Sequence, residues 1–146
     1  MYPALLAAHN GLRWLVLLAG FVAVATALSG FSGAKPWTKK ARLTGVIFVG
    51  LFDLQFLIGI ALYVVSPLLQ AARADLAAAM KDHEARFFTV EHGTEMLVAL
   101  ILAHLGSVLA KKAIGDRAKY RRAAIYYGAS LLVVLAAIPW WRPLFR

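Results

Sequence analysis

The sequence predicts an all-α integral membrane protein: a four-helix up-down-up-down bundle, both termini on the outer side, with an amphipathic outer helix between spans two and three. Three observations predict it. Apolar residues make up 62% of the 146 and mean hydropathy is +0.71, well above the roughly 45–50% apolar content of soluble domains. Four apolar stretches, 8–31, 44–66, 89–110 and 123–140, come near the roughly 20 residues that cross about 30 Å of hydrocarbon. The basic residues cluster at the ends of those stretches. The formal charge of +9 therefore reads as a topology signal and not as a nucleic-acid footprint.

The first span has no basic segment ahead of it and outlasts a signal-peptide core, so it is expected to stay in the protein. Residues 32–42 follow, where Gly33 and Pro36 break the helix and Trp37 marks the headgroup level. Between spans three and four lie residues 111–122. These two turns carry ten Lys and Arg, against five in the loop 67–88 and the C-terminal tail together. The positive-inside rule puts the two basic turns in the cytoplasm. Pro67 opens the outer loop, whose Ala, Leu and alternating charges predict the amphipathic helix. Pro139 and Pro143, around Trp140 and Trp141, end the fourth span. The whole chain, 1–146, reads as one transmembrane domain, and short links place helices one and three parallel across the diagonal.

Cysteine is absent, which excludes disulfides, thiolate metal sites, iron–sulfur clusters and covalently attached haem. Hydrolysis is not supported either, because Ser29, Ser32, Ser66, Ser107 and Ser130 have no His–carboxylate partners at a useful spacing. The chemistry lies in ionisable groups inside the spans, each of which is costly in hydrocarbon. His9 and Arg13 stand one turn apart on the first span, and Glu91, His92 and Glu95 sit at the start of the third. All are expected near the outer face.

Helical stepping from His9 reaches Gly20, Ala23 and Ala27; from His92 it reaches Ala99, Ala103, Gly106 and Ala110. Each diagonal helix thus carries a histidine above a strip of small residues. Such strips serve ordinary helix packing. They also suit a planar redox macrocycle held edge-on between two helices, with Gly20 and Gly106 giving it room. Asp53 and His104 lie about 13 and 9 Å in from the cytoplasmic ends of spans two and three at about 1.5 Å per residue. They can meet as an interhelical hydrogen bond, or with Glu95 as a proton or quinone-head site. His83, in the polar outer loop, is expected to be solvated.

The segments His9-Asn10-Gly11-Leu12-Arg13-Trp14, Asp53-Leu54-Gln55-Phe56-Leu57-Ile58-Gly59 and Arg86-Phe87-Phe88-Thr89-Val90-Glu91-His92 resemble a group of small bacterial four-helix membrane proteins that carry cytochrome b-like names. The resemblance covers nearly the whole chain. It implies a bacterial inner-membrane protein that transfers electrons through haem b, often with a quinone. His9 and His92 would then be the axial ligands of the haem iron, with Arg13 and Arg86 available to the propionates. The pattern departs from di-haem relatives, since spans two and four hold no histidine; one haem is the most the chain supports. Two rival functions stand beside the redox subunit. One is an accessory subunit of a larger respiratory or photosynthetic complex, partnered by lipid and other membrane subunits. The other is a small proton-coupled transporter, for which no repeat symmetry is visible.

Overall fold

The computed structural model describes residues 1–142. Among these residues the architecture is all-helical, and three helical runs are long and apolar enough to cross a membrane: Tyr2–Ser29, Lys39–Val65 and His83–Lys112. This is the pattern of a multi-pass membrane protein.

Helix α1 (Tyr2–Ser29) carries Pro3 in its first turn, which the fixed φ of proline suits. Helix α2 (Lys39–Val65) is capped by Thr38, whose hydroxyl accepts from the Ala41 amide at 3.1 Å. It stops at Ser66, because the proline that follows pushes that residue out of the helical region. The Arg73 guanidinium then donates to the carbonyls of Tyr63 and Val64 at 2.6 and 3.2 Å, so the freed acceptors of this helix end are met by the outer segment.

The single amphipathic helix expected after Pro67 is instead three short pieces: α3 (Pro67–Ala74), α4 (Leu76–Ala79) and α5 (His83–Arg86). The breaks fall at Asp75 and Asp82. Their carboxylates accept from the amides of Ala78 and Ala85 at 3.0 and 2.7 Å, and an aspartate so engaged starts a new helix in preference to continuing the old one. A π-helical turn, Phe87–Glu91, joins α5 to α6 (His92–Lys112). The third long run therefore begins before residue 89.

Gly115, with φ +84°, reverses the chain before α7 (Asp116–Ala137). The first two turns of α7 carry Asp116, Arg117, Lys119, Arg121 and Arg122. Its apolar part, from Ala123 to Ala137, is about 22 Å long at about 1.5 Å per residue, less than a full hydrocarbon thickness. Long arginine stems can make up such a deficit by reaching for the interface. The helix ends at Ala137, short of residue 140, because Pro139 forces Ile138 into extended backbone. Pro143, expected as a second breaker, lies outside the described residues.

Helix α1 packs on α2 and α7, and α6 packs on α7 and α2, so α1 and α6 face each other diagonally. The common core holds Leu17, Phe48, Phe52, Ala99, Ala103, Tyr127 and Leu131. The small-residue strips of α1 and α6 do face inward: Gly20, Ala23 and Ala27 are buried, as are Ala99, Ala103, Gly106 and Ala110. What they admit are aromatic rings from the other two long helices. A Cβ on Gly20 would stand 3.0 Å from Phe48, and one on Gly106 would stand 2.7 Å from Tyr127, which also fills the space beside Gly45. Leu18, Leu57, Ile101 and Leu132 cover the outside of the helices. Gly106→Val should drive a side chain into Tyr127 and cost about 1–3 kcal/mol, read as a lower Tm in detergent. Gly128→Ala, with nothing within 4 Å of the new Cβ, should leave Tm unchanged.

Candidate functional site

Above the aromatic layer the helices diverge around a cavity of about 640 Å³, within the range of small-molecule and cofactor sites. On α1 its wall runs from Tyr2 through Leu6, His9 and Arg13 to Val16, spaced so as to keep one helix face turned inward. On α2 it runs from Phe52 through Gln55 and Gly59 to Ser66. The cavity is therefore tall and follows the helix axes. Val16, Phe52, Met96 and Val134 form its floor, and Leu68, Leu69 and Glu84 of the outer segment roof it. Glu84 is ion-paired with Arg142, whose guanidinium lies over the Phe88 ring, 4.6 Å from its centroid.

His9 and His92 enter this space from opposite sides. Their ring centroids are 6.4 Å apart with the planes inclined at 71°. His92 is held firmly. Its Nδ1 lies 2.9 Å from the carbonyl oxygen of Ala137, and because a carbonyl can only accept, Nδ1 carries the proton and Nε2 keeps its lone pair. That carbonyl is available for a local reason: it belongs to the last turn of α7, where Pro139 has ended the helix and left acceptors without amide partners. The rings of Phe87 and Phe88 sit 5.6 and 5.8 Å from the His92 ring and shield it. The π turn just before His92 loosens the carbonyls of Thr89 and Val90, which the Tyr63 hydroxyl and the Thr94 hydroxyl meet at 3.3 and 2.6 Å.

His9 is seated by α2. The Gln55 side-chain amide donates to the His9 backbone carbonyl at 2.9 Å, and Gly59, one turn further along α2, leaves room for the imidazole: a Cβ there would stand 3.4 Å from His9 Cε1. Two buried polar atoms on this wall, His9 Nδ1 and Gln55 Oε1, have no hydrogen-bond partner among the described residues. Buried polar atoms left this way mark a place where a ligand or water completes the set.

The donor set fits a macrocycle bound through two imidazoles. Two imidazoles bonded to one metal at about 2 Å each would bring their ring centroids about 6 Å apart, close to the 6.4 Å between His9 and His92. A ligating histidine characteristically donates its other ring N–H to a carbonyl, as His92 does. Among the described residues no group of three or more His, Cys, Asp or Glu could hold a bare metal ion.

The other residues singled out by sequence divide. Arg13 lines the cavity. Arg86 does not; its Nε donates to Glu91 at 2.8 Å. Gly20 and Gly106 lie below the cavity, against Phe48 and Tyr127. Asp53 and His104 meet, Nε2 to Oδ1 at 2.8 Å, on the outside of the α2–α6 seam with side chains 43% and 50% exposed. Glu95 does not join them, and its Oε2 is buried without a partner among the described residues. His83 is exposed and packs edge-on against Trp141 at 4.9 Å. Ala137 and Gly59 escaped sequence reasoning; the Ile138-Pro139 pair was the available signal for the first.

No family model, no curated protein and no solved structure matches this chain. The geometry itself makes a measurable statement: ¹⁵N NMR of histidine-labelled protein should find His92 as the Nδ1–H tautomer. A resonance typical of Nε2–H would show that the Ala137 contact does not hold the ring.

Proposed function

We propose that the chain is a membrane b-type cytochrome-like redox subunit, an up-down-up-down bundle of α1, α2, α6 and α7 that holds one haem between α1 and α6 near its outer face. The observation that carries this reading is the pair of imidazoles 6.4 Å apart on either side of a tall cavity, one of them already oriented by a backbone carbonyl. When bound, haem supplies one-electron chemistry whose potential follows its ligands and burial.

The chain's own residues supply everything else. His9 and His92 would hold the haem iron. The Ala137 carbonyl raises the basicity of His92 Nε2 and stops the ring from turning. Arg13, one turn below His9, places a fixed positive charge on the wall for the carboxylates of a macrocycle. Phe87, Phe88 and the roof of α3 to α5 keep water from the site. Arg86, tied to Glu91, serves on this reading to anchor the π turn and not to touch the cofactor. With so little chain outside the helices, electron exchange falls to a membrane partner, another subunit of a larger complex or a lipid-phase quinone.

On this reading the protein sits in a bacterial inner membrane with both termini and the outer segment on the periplasmic side, supported by the ten-to-five distribution of Lys and Arg. Purified chain supplied with haemin should show the reduced-minus-oxidised bands of a low-spin b-type haem. His9→Ala and His92→Ala should each abolish them, whereas Arg86→Gln should keep them; a colourless, folded wild-type protein sinks the proposal. For orientation, the cysteine-free chain permits single-cysteine labelling. Lys81→Cys should react with an impermeant maleimide once the periplasm is opened, and Lys119→Cys only after the inner membrane is breached.

A further inference from the structure

The contact between Asp53 and His104 lies outside the cavity and has no role in it. It sits midway along α2 and α6, two of the helices apolar enough to cross a membrane, and it faces away from the bundle. Exposed Leu57, Ile101, Leu105 and Val108 surround it. An adjoining groove of about 360 Å³ is lined by Leu100, Ile101, His104, Leu105 and Val108. A half-exposed ionisable pair at this depth would otherwise meet hydrocarbon, where intramembrane charges are costly and characteristically face protein or a wet cavity. A polar cover would spare the pair that cost.

The chemistry of the pair specifies the cover. Hydrocarbon favours the forms of the pair with no net charge: aspartate with imidazolium, or aspartic acid with neutral imidazole. Both forms have one proton in the Nε2–Oδ1 bond and one on Nδ1. Either way the pair turns outward one donor, Nδ1–H, and one acceptor, Oδ2, and neither has a further partner among the described residues. A ligand carbonyl would accept from the first and leave the second bare. A second copy of the same pair satisfies both, twice over.

We propose that this outer face of the α2–α6 seam is a homodimer interface, closed by reciprocal Nδ1–H to Oδ2 hydrogen bonds between Asp53 and His104 of two copies. A two-fold axis along the membrane normal keeps every residue at its own depth in both copies. Because Asp53 and His104 are already level with each other, that axis brings all four groups to one height. Gly50, one turn from Asp53 on the same helix, has nothing within 4 Å of an added Cβ, so the α2 backbone is open to close approach. The interface does not depend on what the cavity binds.

The test uses the full chain in lipid vesicles, with subunits counted by single-molecule photobleaching across a dilution series. Wild type should be dimeric. Asp53→Leu combined with His104→Leu should weaken dimerisation about tenfold or more, and Gly50→Phe, which leaves the pair intact, should weaken it as well. Ile101→Cys should form an intermolecular disulfide faster than Leu132→Cys on the exposed face of α7. A monomeric wild type, a dimer indifferent to both variants, or preferential cross-linking through Leu132→Cys overturns the proposal. So does a monomer that binds decylubiquinone and loses it in the double-leucine variant, which would assign the face to a lipid-phase quinone.

Discussion

Hydrocarbon offers no hydrogen bonds, so each polar group carried into the spans must be answered by another part of the same protein or by whatever the protein binds. Several interhelical contacts answer that requirement. Fully buried Ser130 donates to the Ala99 carbonyl at 2.7 Å and ties α7 to α6. Gln55 ties α2 to α1 through the His9 carbonyl, and His92 ties α6 to the last turn of α7. These three bonds join the helices pairwise at defined heights, and apolar packing alone would leave such heights free to slide. His9 Nδ1 and Gln55 Oε1, which lack a hydrogen-bond partner among the described residues, both belong to the cavity wall.

Packing divides the molecule into two unlike halves. Toward the basic turns, Phe48 and Tyr127 fill the spaces that Gly20, Gly45 and Gly106 leave open, and the interior is solid. Toward the segment 67–86, the same helices carry His9, Arg13, Gln55 and His92 among their apolar side chains, and they enclose a space. The division sits at Phe52 and Val16, which serve both as the floor of the cavity and as the upper edge of the core. Proline sets the upper boundary at two corners: Pro67 turns the chain over the mouth of α2, and Pro139 ends α7 where its freed carbonyl reaches His92.

Three of the long apolar helices, the burial of both small-residue strips and the meeting of Asp53 with His104 were legible in the sequence, because hydropathy and helical period report which face of a helix is which. They do not report what lies opposite. The strips that suited a flat ring turned out to accept Phe48 and Tyr127, whose own positions on α2 and α7 carry no mark of that pairing. The π turn was equally silent, since one added residue in a helical turn alters register without altering composition. The hold on His92 was hidden for another reason. Its partner is a main-chain oxygen of an alanine, and only the proline two residues later signals that this oxygen is free. In the segment after Pro67, alanines that favour one continuous helix are overridden by Asp75 and Asp82, whose side chains start new turns.

The aromatic layer beneath the cavity has a directional consequence. Phe48 and Phe52 are almost wholly inaccessible, at 0% and 1% exposure, and Tyr127 is wedged between α2 and α6, so the space above them is closed on the side of the basic turns. No solute has a path through this layer while Phe48, Phe52 and Tyr127 hold their places.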